Sequence, residues 1–235
     1  MLRLEEMFAS PFRYALETEQ AGLAIGSGLA LRFPADVIPF AGLSAPGAAS
    51  VAALRELLAP GESIYVTGET PAAVAGLERE IELPGWQMQF DGLIPEPREE
   101  HVPSMRELAI RELHAVDAPA MVALTDVAFP GYFRPRTYIL GRYFGIEIGG
   151  TLVAMAGERL ALPGYREISA VCTHPAHTGR GHAAILIRHL MRVHAAAGLR
   201  SFLHVAQANQ RAIALYERLG FTRTRPILFH GLRRA

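Results

Sequence analysis

The sequence predicts an α/β protein: a domain with a mixed sheet in the C-terminal half and a smaller α+β unit in the N-terminal half. Three observations carry the prediction. Residues 107–235 alternate apolar runs of strand length with amphipathic runs of helix length, in the order α, α, β, β, β, α, β, α, β. Residues 1–94 give only short segments punctuated by Gly and Pro. Between them, Ile94-Pro95-Glu96-Pro97-Arg98-Glu99-Glu100-His101-Val102-Pro103 is rich in proline and charge and has no apolar period, so residues 95–106 read as a linker.

In chain order, residues 1–18 read as a helix, 23–33 and 37–42 as extended segments, and 48–58 as a helix in an Ala/Gly-rich stretch. Strands are expected at 63–67 and 86–90. Beyond the linker, Asp117 followed by Pro119 starts a helix that Pro130-Gly131 closes. Residues 133–140 are short helical or irregular, and 143–148 with 151–159 form a hairpin around Gly149-Gly150. A loop at 161–165 leads into a strand at 166–173. The next helix, 181–197, carries Ala183, Leu186, Ile187, Leu190, Val193 and Ala197 on its buried face and stops at Gly198. Residues 201–206 form a strand, Asn209 caps a helix over 210–219 that Gly220 ends, and 221–230 is the last strand.

The 235 residues carry no net charge: 23 basic residues, every one an Arg, face 23 acids, and there is a single Cys. Without lysine the chain cannot form a Schiff base through a side chain, and it cannot build a phosphate loop ending in Gly-Lys-Ser/Thr. With Cys172 alone there is no intrachain disulfide and no cysteine zinc cluster. The zero is the sum of unlike halves: residues 1–105 hold 6 Arg against 15 acids, and residues 106–235 hold 17 Arg against 8. Either the two halves dock on each other or the basic half offers a site to an anionic ligand. Nucleic acid fits poorly, because the arginines are spread over several elements with no interleaved aromatic stripe. The opening Met-Leu-Arg-Leu-Glu-Glu sets two acids where a signal peptide is basic and then apolar, and no run reaches 18 apolar residues. The expectation is a cytoplasmic protein with no membrane partner, its oligomeric state left open.

The chemistry concentrates in one strand, loop and helix start. Small residues at Gly179, Gly181 and Ala183 let backbone approach a ligand, and the free amides and positive dipole end of the following helix suit a pyrophosphate. Gly179 to Ala184 also fits the dinucleotide fingerprint G-x-G-x-x-A, but that motif needs an acid about 20 residues on, and none lies between Glu167 and Glu217.

Two segments resemble the GNAT superfamily of N-acetyltransferases. Glu167-Ile168-Ser169-Ala170-Val171-Cys172-Thr173-His174-Pro175, followed by Thr178-Gly179-Arg180-Gly181-His182-Ala183, is similar to its acyl-CoA-binding strand and loop, Gln/Arg-x-x-Gly-x-Gly/Ala. Asn209-Gln210-Arg211-Ala212-Ile213-Ala214-Leu215-Tyr216-Glu217-Arg218-Leu219-Gly220-Phe221 is similar to its second signature. Thr178 departs from the pattern, standing where the family has Gln or Arg. The resemblance covers residues 107–235 and implies the GNAT acyltransferase fold there; a degenerate copy of the same fold is one reading of residues 1–94.

What the resemblance implies is an acetyl-CoA-dependent N-acetyltransferase acting on a small-molecule or peptide amine by direct attack in a ternary complex, with no metal. Thr178, Gly179, Arg180, Gly181, His182 and Ala183 would hold the CoA pyrophosphate. Val171, Cys172 and Thr173 would pair with pantetheine, and Asn209 would touch the cofactor. Tyr216 would be the general acid for the departing thiolate, and Glu167 the base that deprotonates the amine.

Plainer readings stand beside these. Glu167 can be an exposed strand residue paired with Arg166 or another Arg, and Tyr216 a core residue of an amphipathic helix. His174, His177 and His182 invite a metal, but no carboxylate cluster accompanies them. Cys172 reads as a small buried strand residue. Thr178 and the absence of an unambiguous base also leave open a catalytically weak acyl-CoA sensor, and a longer acyl donor is a third possibility.

Overall fold

The computed structural model describes residues 4–68, 76–92, 94 and 109–235, so the linker expected at 95–106 lies outside the described residues. The N-terminal stretch forms two helices, α1 (Leu4–Ala9) and α2 (Pro11–Glu17), broken where Pro11 takes the first helical position. Three short strands, β1 (Ile25–Ser27), β2 (Ala30–Arg32) and β3 (Ala41–Leu43), make a small antiparallel sheet, and α3 (Ala48–Glu56) follows. Of the extended segment expected at 37–42, only its last two residues enter a strand.

The remaining strands form one sheet. They are β4 (Ser63–Thr67), β5 (Leu77–Gln89), β6 (Ile110–Leu113), β7 (Tyr143–Ile148), β8 (Thr151–Leu162), β9 (Tyr165–Thr173), β10 (Arg200–Ala206) and β11 (Thr222–Arg234). Three helices interrupt them: α4 (Ala118–Ala128), α5 (His182–Ala196) and α6 (Gln210–Arg218). The sheet order is β4-β11-β5-β10-β9-β8-β7-β6. Among the described residues no helix is long and apolar enough to cross a membrane.

This order corrects the expected division of the chain. β4 and β5 belong to the stretch read as an accessory domain, yet both are strands of the large sheet. β5 runs between β11 and β10, pairing with β11 from Leu77↔Arg234 to Thr222↔Gln89 and with β10 from Phe202↔Gln89 to Ala206↔Gly85. Only 86–90 was expected as strand, because Pro84-Gly85 reads as a break. The proline is tolerated because the ladder to β10 ends at Gly85; beyond it Pro84 need only accept, and its carbonyl takes the Gln207 N–H at 2.8 Å. β6 also lay outside the expected elements, being a four-residue edge strand.

The sheet is covered on both faces. Neighbouring residues of β10 divide between two clusters, as the alternation of a strand requires. Leu203 packs with Leu186, Ile187 and Leu190 of α5 and Ile213 of α6, whereas Phe202 packs with Phe8, Phe12, Phe33 and Phe40 of the N-terminal half and with Leu160, Leu162 and Tyr165. α4 adds Met121 and Leu124 against Met155 and Cys172. On α5 the buried residues are His182, Leu186, Ile187, Leu190, Met191 and His194; of those expected there, Ala183 and Val193 are half-buried, and Ala197 lies past the last helical turn and is exposed. Ion pairs also cross between the halves, Arg136 to Asp36 at 3.0 Å, Arg200 to Asp91 at 3.4 Å and Arg166 to Glu19 at 3.5 Å. Two of these pairs are exposed and the Arg166–Glu19 pair is long and partly exposed, so they contribute little, and the apolar interface holds the halves together.

Candidate active site

The site starts where two parallel strands part. β9 and β10 pair only at Arg200↔Tyr165, Ser201↔Arg166 and Phe202↔Glu167. Beyond that point β9 follows β8, ending Met155↔Cys172 and Ala154↔Thr173, while β10 follows β5. Ala170 has φ 51°, the one positive φ outside glycine among the described residues, and it sits at the register shift between Ser169 and Cys172. This bulge turns the end of β9 away from β10. The gap exposes strand edge at Val171, Cys172 and Thr173.

The loop after β9 is braced from within. The His174 ring accepts the Ala176 N–H at 3.2 Å, and the Thr178 hydroxyl donates to the Pro175 carbonyl at 3.0 Å. Thr178 thus spends its hydroxyl proton on the loop itself. Gly179 (φ 79°) and Gly181 (φ 80°) both lie in the left-handed region, where a side chain is strained, and a Cβ at either would meet no atom within 4 Å. Gly181 is the N-cap of α5, and its carbonyl accepts the Ile185 N–H at 3.1 Å. The amides of His182, Ala183 and Ala184 precede that bond and have no partner within the helix.

A cleft of about 1000 Å³ gathers these parts. Val171, Cys172, Thr173, Thr178, Gly179, Arg180, Gly181, His182, Ala183, Asn209 and Tyr216, all expected from sequence, line it. Asn209 caps α6 by accepting the Ala212 N–H at 3.1 Å. Tyr216 is nearly buried, stands edge-on to Phe221 at 6.1 Å, and has its hydroxyl pKa pushed up to about 12 by burial. It is protonated at neutral pH. Burial likewise pushes the Cys172 thiol up to about 12, against the Met155 backbone contact, which removes it as a nucleophile.

Glu167 is the expected residue that does not join them. It is fully buried on the sheet face opposite α5 and does not line the cleft. Arg159 grips both its oxygens, with Nε at 2.9 Å from Oε2, and His204 Nδ1 donates to Oε1 at 2.7 Å. The Arg159 guanidinium lies over the rings of Phe12 and Phe40, 5.2 and 4.9 Å from their centroids. Burial alone would raise the carboxyl pKa, but the Arg159 charge and then His204 outweigh it and hold Glu167 at about 2. A carboxylate so placed has neither access to an amine nor appetite for its proton, which corrects its assignment as the base. It is also not the exposed residue of the plainer reading, and its partner is Arg159, not Arg166.

Sequence reasoning missed Ala128 and Phe129 at the end of α4, His177 in the loop, and Arg188, Arg211 and Arg218. The last two had a signal, since Arg211, Leu215 and Arg218 share one face of α6. Ala128 and Phe129 had none, because only the packed fold brings them near. Among the described residues no Asp or Glu lines the cleft. Among the described residues no group of three or more His, Cys, Asp or Glu side chains is arranged to hold a metal ion.

Residues 103–221 match the acetyltransferase (GNAT) family. A solved structure from Novosphingobium aromaticivorans, assigned to the GNAT family as an acetyltransferase, is 33% identical over 97% of this chain and 98% of its own, with a TM-score of 0.85. A GCN5-related N-acetyltransferase from Kribbella flavida shares the fold at 18% identity, over 94% of this chain and 95% of its own, with a TM-score of 0.61. A GCN5-related N-acetyltransferase-like protein from Streptococcus suis does so at 13% identity, over 88% and 85%, with a TM-score of 0.56. Among curated proteins none matches.

Proposed function

Because the chain belongs to the acetyltransferase (GNAT) family, we propose that it moves an acetyl group from acetyl-CoA directly to a primary amine of a small molecule or peptide, both held in one ternary complex. The observation that carries the reading is the single cleft joining the parted strand edge, the glycine loop and Tyr216. When bound, acetyl-CoA supplies an acetyl thioester and a thiolate leaving group.

The residues present fit that cofactor. Gly179 and Gly181 leave the loop open on its ligand side, and the amides of His182, Ala183 and Ala184 offer donors to a pyrophosphate at the positive end of α5. Arg180 adds a charge-assisted contact. Backbone groups of Val171, Cys172 and Thr173 hold the pantetheine arm as a neighbouring strand would, and an amide there faces the thioester oxygen as charge develops on it. Asn209 keeps its amide N–H groups for the cofactor while its oxygen caps α6. Tyr216 holds a proton at its hydroxyl for the departing sulfur. None of the described residues that line the cleft is a carboxylate, so water is the acceptor this reading assigns to the amine's proton.

Isothermal titration with acetyl-CoA tests the reading, and no heat of binding at millimolar cofactor sinks it. Tyr216→Phe is expected to lower turnover by about 10²-fold or more with nearly unchanged cofactor affinity; an unaltered rate of free-thiol release removes Tyr216 from the mechanism. The lack of a carboxylate among the described residues that line the cleft also favours a second reading, an acyl-CoA-binding module with weak catalysis. That protein would bind acetyl-CoA yet release no thiol with a panel of primary amines. Comparing acetyl-CoA with longer acyl-CoAs sets the acyl length.

A further inference from the structure

The first half of β5 is an open strand edge. Residues 77–83 pair with β11 along one side, but on the other side the ladder to β10 stops at Gly85, and the Gln207 N–H on the Pro84 carbonyl is its last bond. Past that point no strand among the described residues flanks β5. Residues 78–82 are exposed. A strand paired on one side only turns alternate N–H and C=O groups outward, where they can take up another strand.

The side chains of this edge select what can pair with it. Glu78, Glu80 and Glu82 alternate with Leu77, Arg79, Ile81 and Leu83. Arg79 holds Glu82, which also lies 3.3 Å from His230 Nδ1. Glu78 and Glu80 form no ion pair among the described residues, and Ile81 is exposed between them and Glu82. Two copies of the edge laid antiparallel would set acid against acid, which repels a second copy of this chain. A strand with basic residues at alternate positions meets attraction at the same places.

Direction decides which end of such a strand reaches the site. β10 runs antiparallel to β5 and ends at Ala206, beside the gap where β9 and β10 part. A strand added antiparallel to residues 77–83 prolongs the line of β10, so its N-terminus lies at the mouth of that gap.

We infer that the acceptor is the N-terminal amine of an extended basic peptide, held by strand addition to residues 77–83 of β5. The inference rests on the acyl-CoA reading of the cleft and narrows its acceptor. The amine nitrogen bonds the acetyl carbon as the carbon–sulfur bond breaks, the sulfur leaves with the Tyr216 proton, and the amine's proton goes to water.

Fluorescence anisotropy on the full chain with acetyl-CoA present tests it. The probe is a lysine-free octapeptide alternating Arg and Val, labelled at its C-terminus, whose only primary amine is its N-terminus. It is expected to bind about 10-fold or more tightly than the same peptide with Glu for Arg. N-methylation of alternate backbone amides is expected to weaken it about 10-fold in one frame and to spare it in the other, because one frame faces β5. Glu78→Gln/Glu80→Gln is expected to weaken it about 10-fold, with acetyl-CoA affinity unchanged as a report of folding. Mass spectrometry is expected to find one acetyl group on the recovered peptide. Equal binding of the acidic peptide, or binding that neither methylated frame weakens, overturns the inference and leaves the acyl-CoA reading standing. A peptide that binds but gains no acetyl group while acetyl-CoA is bound overturns it too. A chain that binds no acetyl-CoA overturns the acyl-CoA reading and this inference with it.

Discussion

The carboxylate of Glu167 behaves as a structural charge. Its folded pKa, about 2, lies below the ordinary 4.5, so the stabilisation it gives is fully present above about pH 4.5 and is lost as pH falls towards 2. For a group with no exposure, that shift corresponds to on the order of 3 kcal/mol. Urea unfolding midpoints measured between about pH 2 and pH 6 are expected to fall more steeply for the unaltered protein than for Glu167→Gln, and equal slopes would refute the assignment. Glu167→Gln is also expected to destabilise the protein by about 3 kcal/mol or more at neutral pH, since it leaves the Arg159 charge behind. Why the sequence misleads here is physical. Glu167 stands at the start of the motif strand, but its environment comes from Arg159 on another strand, from His204 on β10 and from Phe12 and Phe40 in the distant N-terminal half. The glycine loop was legible because loop and helix start form one continuous segment whose geometry is local, whereas Val171 to Thr173, Asn209 and Tyr216 came from the family resemblance.

At the scale of elements, the glycine loop and the start of α5 carry a second prediction. Gly181→Ala adds a methyl group that meets no neighbour, so its cost is that of the left-handed backbone alone, about 1–2 kcal/mol. Thermal unfolding is expected to register that loss, and acetyl-CoA affinity should fall further because the loop must shift to relieve it. Unchanged affinity in a destabilised variant would detach the loop from the cofactor. Legibility followed the same division by range. The hairpin β7–β8, with Gly149 at φ 59° and Gly150 at φ 76°, announces itself through its turn. The first part of β5 does not, although Leu77, Ile81 and Leu83 alternate with Glu78, Glu80 and Glu82, because Pro84-Gly85 reads as a break between it and the strand at 86–90, and its pairing with β11 carries it across. That partner lies far along the chain and leaves no local trace in the sequence.

For the whole molecule, the opposite charges of the two halves are the visible part of a deeper dependence. The basic half holds the cleft, but its sheet is completed by a strand from the acidic half: without β5, β10 loses its neighbour on one side and β11 loses its link to the sheet. Removing the N-terminal half would also bare Leu160, Leu162, Tyr165 and Phe202, which Phe8, Phe12, Phe33 and Phe40 cover. At about 1.5–3 kcal/mol for each large side chain, four such exposures approach the whole stability of an ordinary domain, about 5–15 kcal/mol. The exposed ion pairs between the halves add little to this, so high salt should barely lower the melting temperature of the full chain. A fragment spanning residues 109–235 is therefore expected to show no cooperative thermal transition by circular dichroism and no binding of acetyl-CoA, although it contains every described residue that lines the cleft. A fragment that melts cooperatively and binds the cofactor would show that the basic half folds on its own, and that β5 only decorates a sheet it does not complete.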